Sequence, residues 1–179
     1  MFKICVLASG STGNCTYIET STSKFLVDIG ITSLSVEKNL KNIDVNPGEI
    51  DGIFITHTHV DHIQGLKVFC KKYNPIVYLT EKMHEEINKD IKIDNYKYIE
   101  DNDLIDDLQV NIVKTSHDVS DSNGYLFTHN GKTIVYITDT GYINIKNHSK
   151  LYNKNLYVIE SNHDIQLLMN CNRPYHVKQ

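Results

Sequence analysis

No Cys-x-x-Cys pair occurs in the chain, and Cys5, Cys15, Cys70 and Cys171 are widely scattered. This spacing argues against a zinc ribbon and against a compact disulfide framework, and it fits reduced thiols in a cytosolic protein. A long apolar run is also missing. After Lys3, the stretch Ile4-Cys5-Val6-Leu7-Ala8 is too short for the core of a secretion signal, and no segment approaches the length of a membrane span. A soluble, cytoplasmic protein with no membrane partner is therefore expected. Basic excess is lacking as well: the formal net charge is -4, which argues against a general nucleic-acid-coating surface. Lys67, Lys71 and Lys72 still make a local patch able to touch phosphates. The 179 residues, 40% hydrophobic and 9% aromatic, suit one globular domain over 1–179 with a real core.

What the chain does contain is a dense run of metal-binding side chains, Thr56-His57-Thr58-His59-Val60-Asp61-His62, straight after the apolar stretch Gly52-Ile53-Phe54-Ile55. That stretch is short and bounded, as a buried strand is. If the backbone stays extended past it, alternation puts His57, His59 and Asp61 on one face, and a turn into a following helix brings His62 beside them. Packed polar side chains at the end of a core strand are costly unless something satisfies them. Imidazole and carboxylate suit zinc, manganese or iron, and a ligand set without cysteine leaves room for water, which favours a catalytic centre over a structural one.

His57-Thr58-His59-Val60-Asp61-His62 resembles the HxHxDH signature of the metallo-β-lactamase superfamily. The resemblance implies two divalent cations, zinc or manganese with iron admissible, His57 and His59 on one and Asp61 and His62 on the other. Upstream, residues 2–7 read as a strand running into Ser9-Gly10-Ser11-Thr12-Gly13-Asn14. Taken alone, this is either an anion-binding nest of backbone donors or a tight strand connection. It is similar to the SGSxGN loop of the WalJ (YycJ) branch of the superfamily, which would place Ser9, Gly10, Ser11, Gly13 and Asn14 near the metals as a phosphate-binding loop.

Further strands are expected over 16–20 and 25–30, the second apolar except for Asp28. A carboxylate there needs a partner: it is either a strand-end cap or, as the resemblance implies, a support behind the metal loop. A helix is expected over 33–41, a turn at Pro47-Gly48, and a helix over 63–73 that begins at the metal loop, where its dipole favours anions. Residues 75–79 read as a strand, followed by a helix capped by Thr80 with a Glu85–Lys89 pair and a solvated His84. The stretch 91–107 is poorly patterned and is read as a connection with one strand near 96–99.

Residues 108–115 alternate as a strand and deliver His117. A lone histidine after a strand is more often structural, but the resemblance makes His117 the next metal ligand. Asn130-Gly131 between 125–129 and 132–138 is a hairpin signal, with His129 merely flanking it. Asp139, in Thr138-Asp139-Thr140-Gly141, either starts a turn or, by resemblance to the TDTG motif, bridges both metals. A strand over 156–159 leads into Glu160-Ser161-Asn162-His163-Asp164, similar to the ESNHD segment of the WalJ branch. His163 there is either a proton donor to a leaving group or a structural hydrogen-bond partner. A short helix is expected over 165–169.

Periodicity alone says only mixed α and β. The resemblance implies an α/β protein with the four-layer αββα sandwich, here lacking its last strand and helix. The chain stops at Gln179 after Arg173-Pro174-Tyr175, where the family continues to a Gly-His motif with a last ligand, and His176 comes too early to replace it. An exposed edge open to self-association is the corresponding expectation. The implied activity is phosphodiester hydrolysis of DNA by metal-bound hydroxide, as a 5′ to 3′ exonuclease in the setting of DNA repair or cell-wall regulation, with Asp61 orienting the hydroxide. Two other readings stay open: a hydrolase of a small ester, lactone or cyclic phosphate, and a catalytically silent metal-binding protein.

Overall fold

The structure is a computed structural model that describes residues 1–160 and Asn170, apart from the side chains of residues 145, 147 and 148. One sheet contains β1 (Lys3–Ala8), β2 (Cys15–Glu19), β3 (Lys24–Val27), β4 (Gly52–Phe54), β5 (Ile76–Leu79) and β6 (Tyr96–Tyr98), side by side in chain order. β1 to β3 are antiparallel, whereas β3 to β6 run parallel. Parallel neighbours need crossovers, and these are supplied by α1 (Ser33–Asn42), α2 (Val60–Ile63), α3 (Leu66–Tyr73) and α4 (Glu81–Ile87). The carboxyl ends of β3, β4 and β5 thus open on one rim, where ligand sites form in parallel sheets.

The other sheet contains β7 (Asp103–Ile105), β8 (Leu108–Lys114), β9 (Asn123–His129), β10 (Lys132–Ile137) and β11 (Leu156–Ile159), ordered β11-β10-β9-β8-β7. Only β10 and β11 are parallel, joined through α5 (Ile145–Leu151). Between β9 and β10, Asn130 and Gly131 both have positive φ, 49° and 73°, the tight hairpin that their pairing signals.

Three apolar clusters stack in series and define the layers. Strand alternation turns Ile53 and Ile55 toward Leu40, Leu66, Phe69 and Met83 of the helices, and Phe54 toward the opposite sheet. Phe54 sits at the centre of the inter-sheet core, with ring centroids 4.9 Å from Tyr78, 5.1 Å from Phe127, 5.3 Å from Phe25 and 5.8 Å from Tyr125. Beyond the second sheet, Val113, Leu126, Val135 and Ile137 pack on Leu151 of α5. The order helix, sheet, sheet, helix is the expected αββα sandwich.

Several local expectations change. The helix expected over 63–73 is broken at Gly65, where a Cβ would lie 2.4 Å from the Ile31 carbonyl oxygen and where Gly65 N donates to Ile29 O at 2.8 Å. The stretch 91–107 holds two strands, β6 and β7. Lys89 falls beyond the end of α4, so the expected Glu85–Lys89 pair has no helix to sit on. His84 is half-buried, its ring 3.9 Å from that of Tyr96 and its Nδ1 3.1 Å from Tyr98 Oη, because the edge strand lays its tyrosines over α4. The helix expected over 165–169 and Cys171 lie outside the described residues, and Cys5, Cys15 and Cys70 are free thiols.

Candidate metal centre

The motif begins where β4 stops. Ile55 N still donates to Tyr78 O, but the extended run ends at His59, the N-cap of α2 with φ -63° and ψ 150°. Asp61 is therefore not on an extended segment: it lies in the helical turn with His62, whose N donates to His59 O at 2.9 Å. This turn is locked onto its neighbours. Asn14 N donates to Asp61 O at 2.8 Å, Gly30 N to Asn14 O at 2.7 Å and Ile29 N to His62 O at 2.8 Å. Glycine is required at residue 30, because a Cβ there would lie 1.5 Å from the Asp61 carbonyl oxygen.

Three imidazoles converge from both sheets: His57 and His59 after β4, and His117 after β8, each offering a ring nitrogen within 4.8 Å of the others. His57, His62 and Asp139 form a second group with the same spacing, Asp139 arriving from the end of β10 with φ 47°. His57 is common to both. Asp61 stands beside the second group, its Oδ2 3.8 Å from His62 Nε2, and Asp139 Oδ2 is 2.5 Å from the same nitrogen. Asp118 Oδ1 approaches His117 Nδ1 at 3.3 Å.

Behind this face, Asp28 is fully buried and accepts three hydrogen bonds, from Thr56 N at 2.8 Å, Thr56 Oγ1 at 2.9 Å and His62 Nδ1 at 2.8 Å. The donor directions fix the tautomers. Since the Thr56 hydroxyl gives its proton to Asp28, its oxygen accepts from His57 Nδ1 at 3.0 Å, leaving His57 Nε2 as a lone pair. That Nε2 is buried and has no hydrogen-bond partner, an unpaired acceptor that a buried site rarely tolerates. A Lewis-acidic cation answers it, so the donor set fits divalent metal.

Burial pushes the His57 imidazolium well below the ordinary histidine value, and the neighbouring histidines push the same way. His62 goes the other way. Burial disfavours its charge, but Asp28 and Asp139 outweigh that and hold it up to about 10. Burial would raise Asp139, yet contact with His62 keeps it well below the carboxylate range, whereas burial and Asp139 raise Glu160.

A cleft of about 480 Å³ opens on this centre, lined by Ser9, Gly10, Ser11, Asn14, Asp61, Asp139 and Glu160 among others. Gly13 is not among its lining residues: it is buried against Gly30 and Ile31. Part of the loop's set of backbone donors is already engaged, since Gly10 N binds Asn14 Oδ1, Gly13 N binds Gly10 O and Asn14 N binds Asp61 O. Asn14 instead reaches the metal loop directly, its Nδ2 3.0 Å from His62 Nε2. His163 lies outside the described residues. Thr56 and Glu160 were not singled out from sequence; Thr56 carries no signal of its own, while Glu160 stands at the end of a readable strand.

A His and carboxylate cluster assembled from both sheets at the rim of an αββα sandwich defines a metallo-hydrolase. The sequence profile of the Metallo-beta-lactamase superfamily matches residues 8–149, and the chain belongs to that superfamily. The chain is 36% identical, over 97% of its length and 68% of the relative's, to the exodeoxyribonuclease YycJ of Bacillus anthracis. It is 35% identical, over 99% of its length and 69% of the relative's, to the exodeoxyribonuclease WalJ of Streptococcus pneumoniae serotype 2. Among solved structures, a Cronobacter sakazakii metallo-beta-lactamase superposes with a TM-score of 0.69 at 12% identity, covering 87% of this chain and 76% of that one. At that identity the likeness concerns the fold alone. Among the described residues, no helix is long and apolar enough to cross a membrane.

Proposed function

We propose that the chain is a metal-dependent phosphodiesterase that shortens DNA from an end, as a 5′ to 3′ exonuclease acting in the cytoplasm. The reading is supported chiefly by similarity, over nearly all of this chain and about two thirds of theirs, to two proteins named exodeoxyribonucleases. His57, His59 and His117 would hold one divalent cation, Asp61 and His62 the other, with Asp139 between them. Zinc and manganese both suit these donors. Such cations supply Lewis acidity and lower the pKa of an attacking water.

The chain's own residues account for the rest. Asp61, Asp139 and Glu160 make the metal-free cleft anionic, so a phosphodiester is repelled until cations offset the carboxylates. Asp61 orients the attacking water, and the exposed Ser9 and Ser11 line the same cleft as hydroxyl partners for a terminal phosphate. Thr56 and Asp28 keep His57 and His62 in fixed orientations. The test is digestion of a 5′-phosphorylated, end-labelled DNA duplex with Mn²⁺, beside a His59→Ala control. Mononucleotide release by the native chain and not by the control is expected. A chain that loads metal yet leaves DNA intact refutes the nuclease reading and turns attention to small esters.

A further inference from the structure

Beside the metal centre runs a second depression, a groove of about 400 Å³ lined by Lys114, Thr115, Ser116, Tyr142, Asn144 and Lys146. We propose that this groove carries the continuing single strand of a nucleic-acid substrate, with Tyr142 stacked on a base and Lys146 and Lys114 against phosphates. The proposal rests on the nuclease reading and adds the path of the strand.

The groove adjoins the site through both of its walls. Ser116 immediately precedes His117, and Tyr142 lies three residues past Asp139. The two loops are tied together: Gly141 N donates to Ser116 O at 2.9 Å, Ser116 N donates to Thr140 Oγ1 at 3.4 Å, and Thr140 Oγ1 donates to Tyr142 O at 2.8 Å. Thr138 and Asp139 border the cleft and Tyr142 borders the groove, so a strand with its end in the cleft crosses the metal centre and leaves along the groove.

Charge and shape select the occupant. No groove-lining residue is acidic, whereas the cleft has Asp61, Asp139 and Glu160, and the whole chain carries a net charge of -4. A local reversal of sign on an acidic protein marks where a polyanion is tolerated. Lys114 is ion-paired with Asp121, so Lys146 carries the larger electrostatic share. Tyr142 is 62% exposed, and an exposed ring on a tethered loop offers a stacking face to a base. Only an unpaired base has a free face to give, which favours a single strand over a duplex.

The experiment uses the full chain with Tyr142→Ala, Tyr142→Phe and Lys146→Gln variants. Binding of a fluorescein-labelled oligothymidylate is read by anisotropy in EDTA at several salt concentrations. Hydrolysis by the Mn²⁺-loaded protein is read on a 5′-phosphorylated single strand and on bis(p-nitrophenyl) phosphate, a diester too small to reach the groove. Tyr142→Ala is expected to weaken strand binding and raise the strand's KM about ten-fold, the size of one lost stack, while Tyr142→Phe stays near the native values. Lys146→Gln should flatten the log–log salt dependence by about 0.7. The small diester should be cut at the native rate by every variant. Strand binding or KM that ignores both Tyr142→Ala and Lys146→Gln overturns the groove, even if DNA is cut. Tyr142-dependent binding without any cutting keeps the groove and sinks the nuclease reading, and absence of strand binding overturns the groove whether or not the Mn²⁺-loaded protein cuts DNA.

Discussion

Replacing Asp28 by Asn removes one charge and almost no volume, and its consequences follow from the three hydrogen bonds that Asp28 accepts. Residue 28 has φ 59°, a conformation that Asn adopts as readily as Asp, so the backbone is not strained. The amide oxygen of the variant must stay on Thr56 N, whose donor cannot move. Its NH2 group then faces Thr56 Oγ1 and His62 Nδ1, the positions that Asp28 Oδ2 now serves at 2.9 and 2.8 Å. Two donors cannot face each other, so His62 must make Nδ1 its acceptor and carry its proton on Nε2. That is the nitrogen 2.5 Å from Asp139 and beside Asp61, so a proton occupies the lone pair a cation needs. Loss of such a support typically costs about 10- to 100-fold in metal affinity. The metal-free fold also loses one partner of a buried ion pair, and with Asp139 retained the cost is about 3 kcal/mol, at the low end for such pairs. Chelator competition with Zn²⁺ measures the first effect, and urea unfolding in EDTA measures the second. Zinc affinity within two-fold of native, alongside a clear loss of stability, would refute the tautomer argument while leaving Asp28 a structural role.

The pH dependence of the metal-free protein tests the same charge arrangement. His62 is held up to about 10 in the folded state against an ordinary value of 6.5, so its ion pairing stabilises fully below the ordinary value and is lost as pH rises through the folded one. Melting temperature in EDTA should therefore fall across that window. Zinc uptake near pH 7.5 should release about one proton, read as a buffer-dependent heat in calorimetry; a heat independent of the buffer would contradict it. Gly30→Ala drives a Cβ to 1.5 Å from the Asp61 carbonyl, and a loss of about 4 kcal/mol or more by urea unfolding is expected from backbone displacement. A loss under about 1 kcal/mol would mean that the loop yields easily. Phe54→Ala empties the middle of five packed rings and should cost about 3 to 5 kcal/mol, with the urea midpoint as readout.

The ligand-bearing loops were legible because each follows a short apolar strand and bears side chains that a core end would not otherwise carry: His57 and His59 after β4, His117 after β8, Asp139 after β10. Asp28 also stood out as a carboxylate in an apolar run, but its partners Thr56 and His62 are 28 and 34 residues away, and no local pattern announces them. Alternation puts Asp61 on an extended segment because it assumes that the strand persists, whereas the backbone turns into a helix at Val60, directly after His59. The break at Gly65 needs the 29–33 loop pressed against it, a tertiary contact. β7 escaped because a three-residue edge strand buries too little to impose a period.

The division of donors between the sheets gives the site its logic. His57, His59 and His62 come from the first sheet, where Asp28 and Thr56 orient His57 and His62 by hydrogen bonds made within that half, while His59 Nδ1 meets His117 Nε2 at 3.0 Å across the sheets. His117 and Asp139 come from the second, and reach the site only when the inter-sheet core around Phe54 is closed. One half of the centre is thus preorganised and the other is delivered by sandwich formation. A cation that requires both halves binds the folded state alone, so at about 100 times its Kd it would add about 2.7 kcal/mol to folding. Core packing and metal affinity are then two readings of one equilibrium, and a variant that loosens Phe54 should weaken metal binding without touching a ligand.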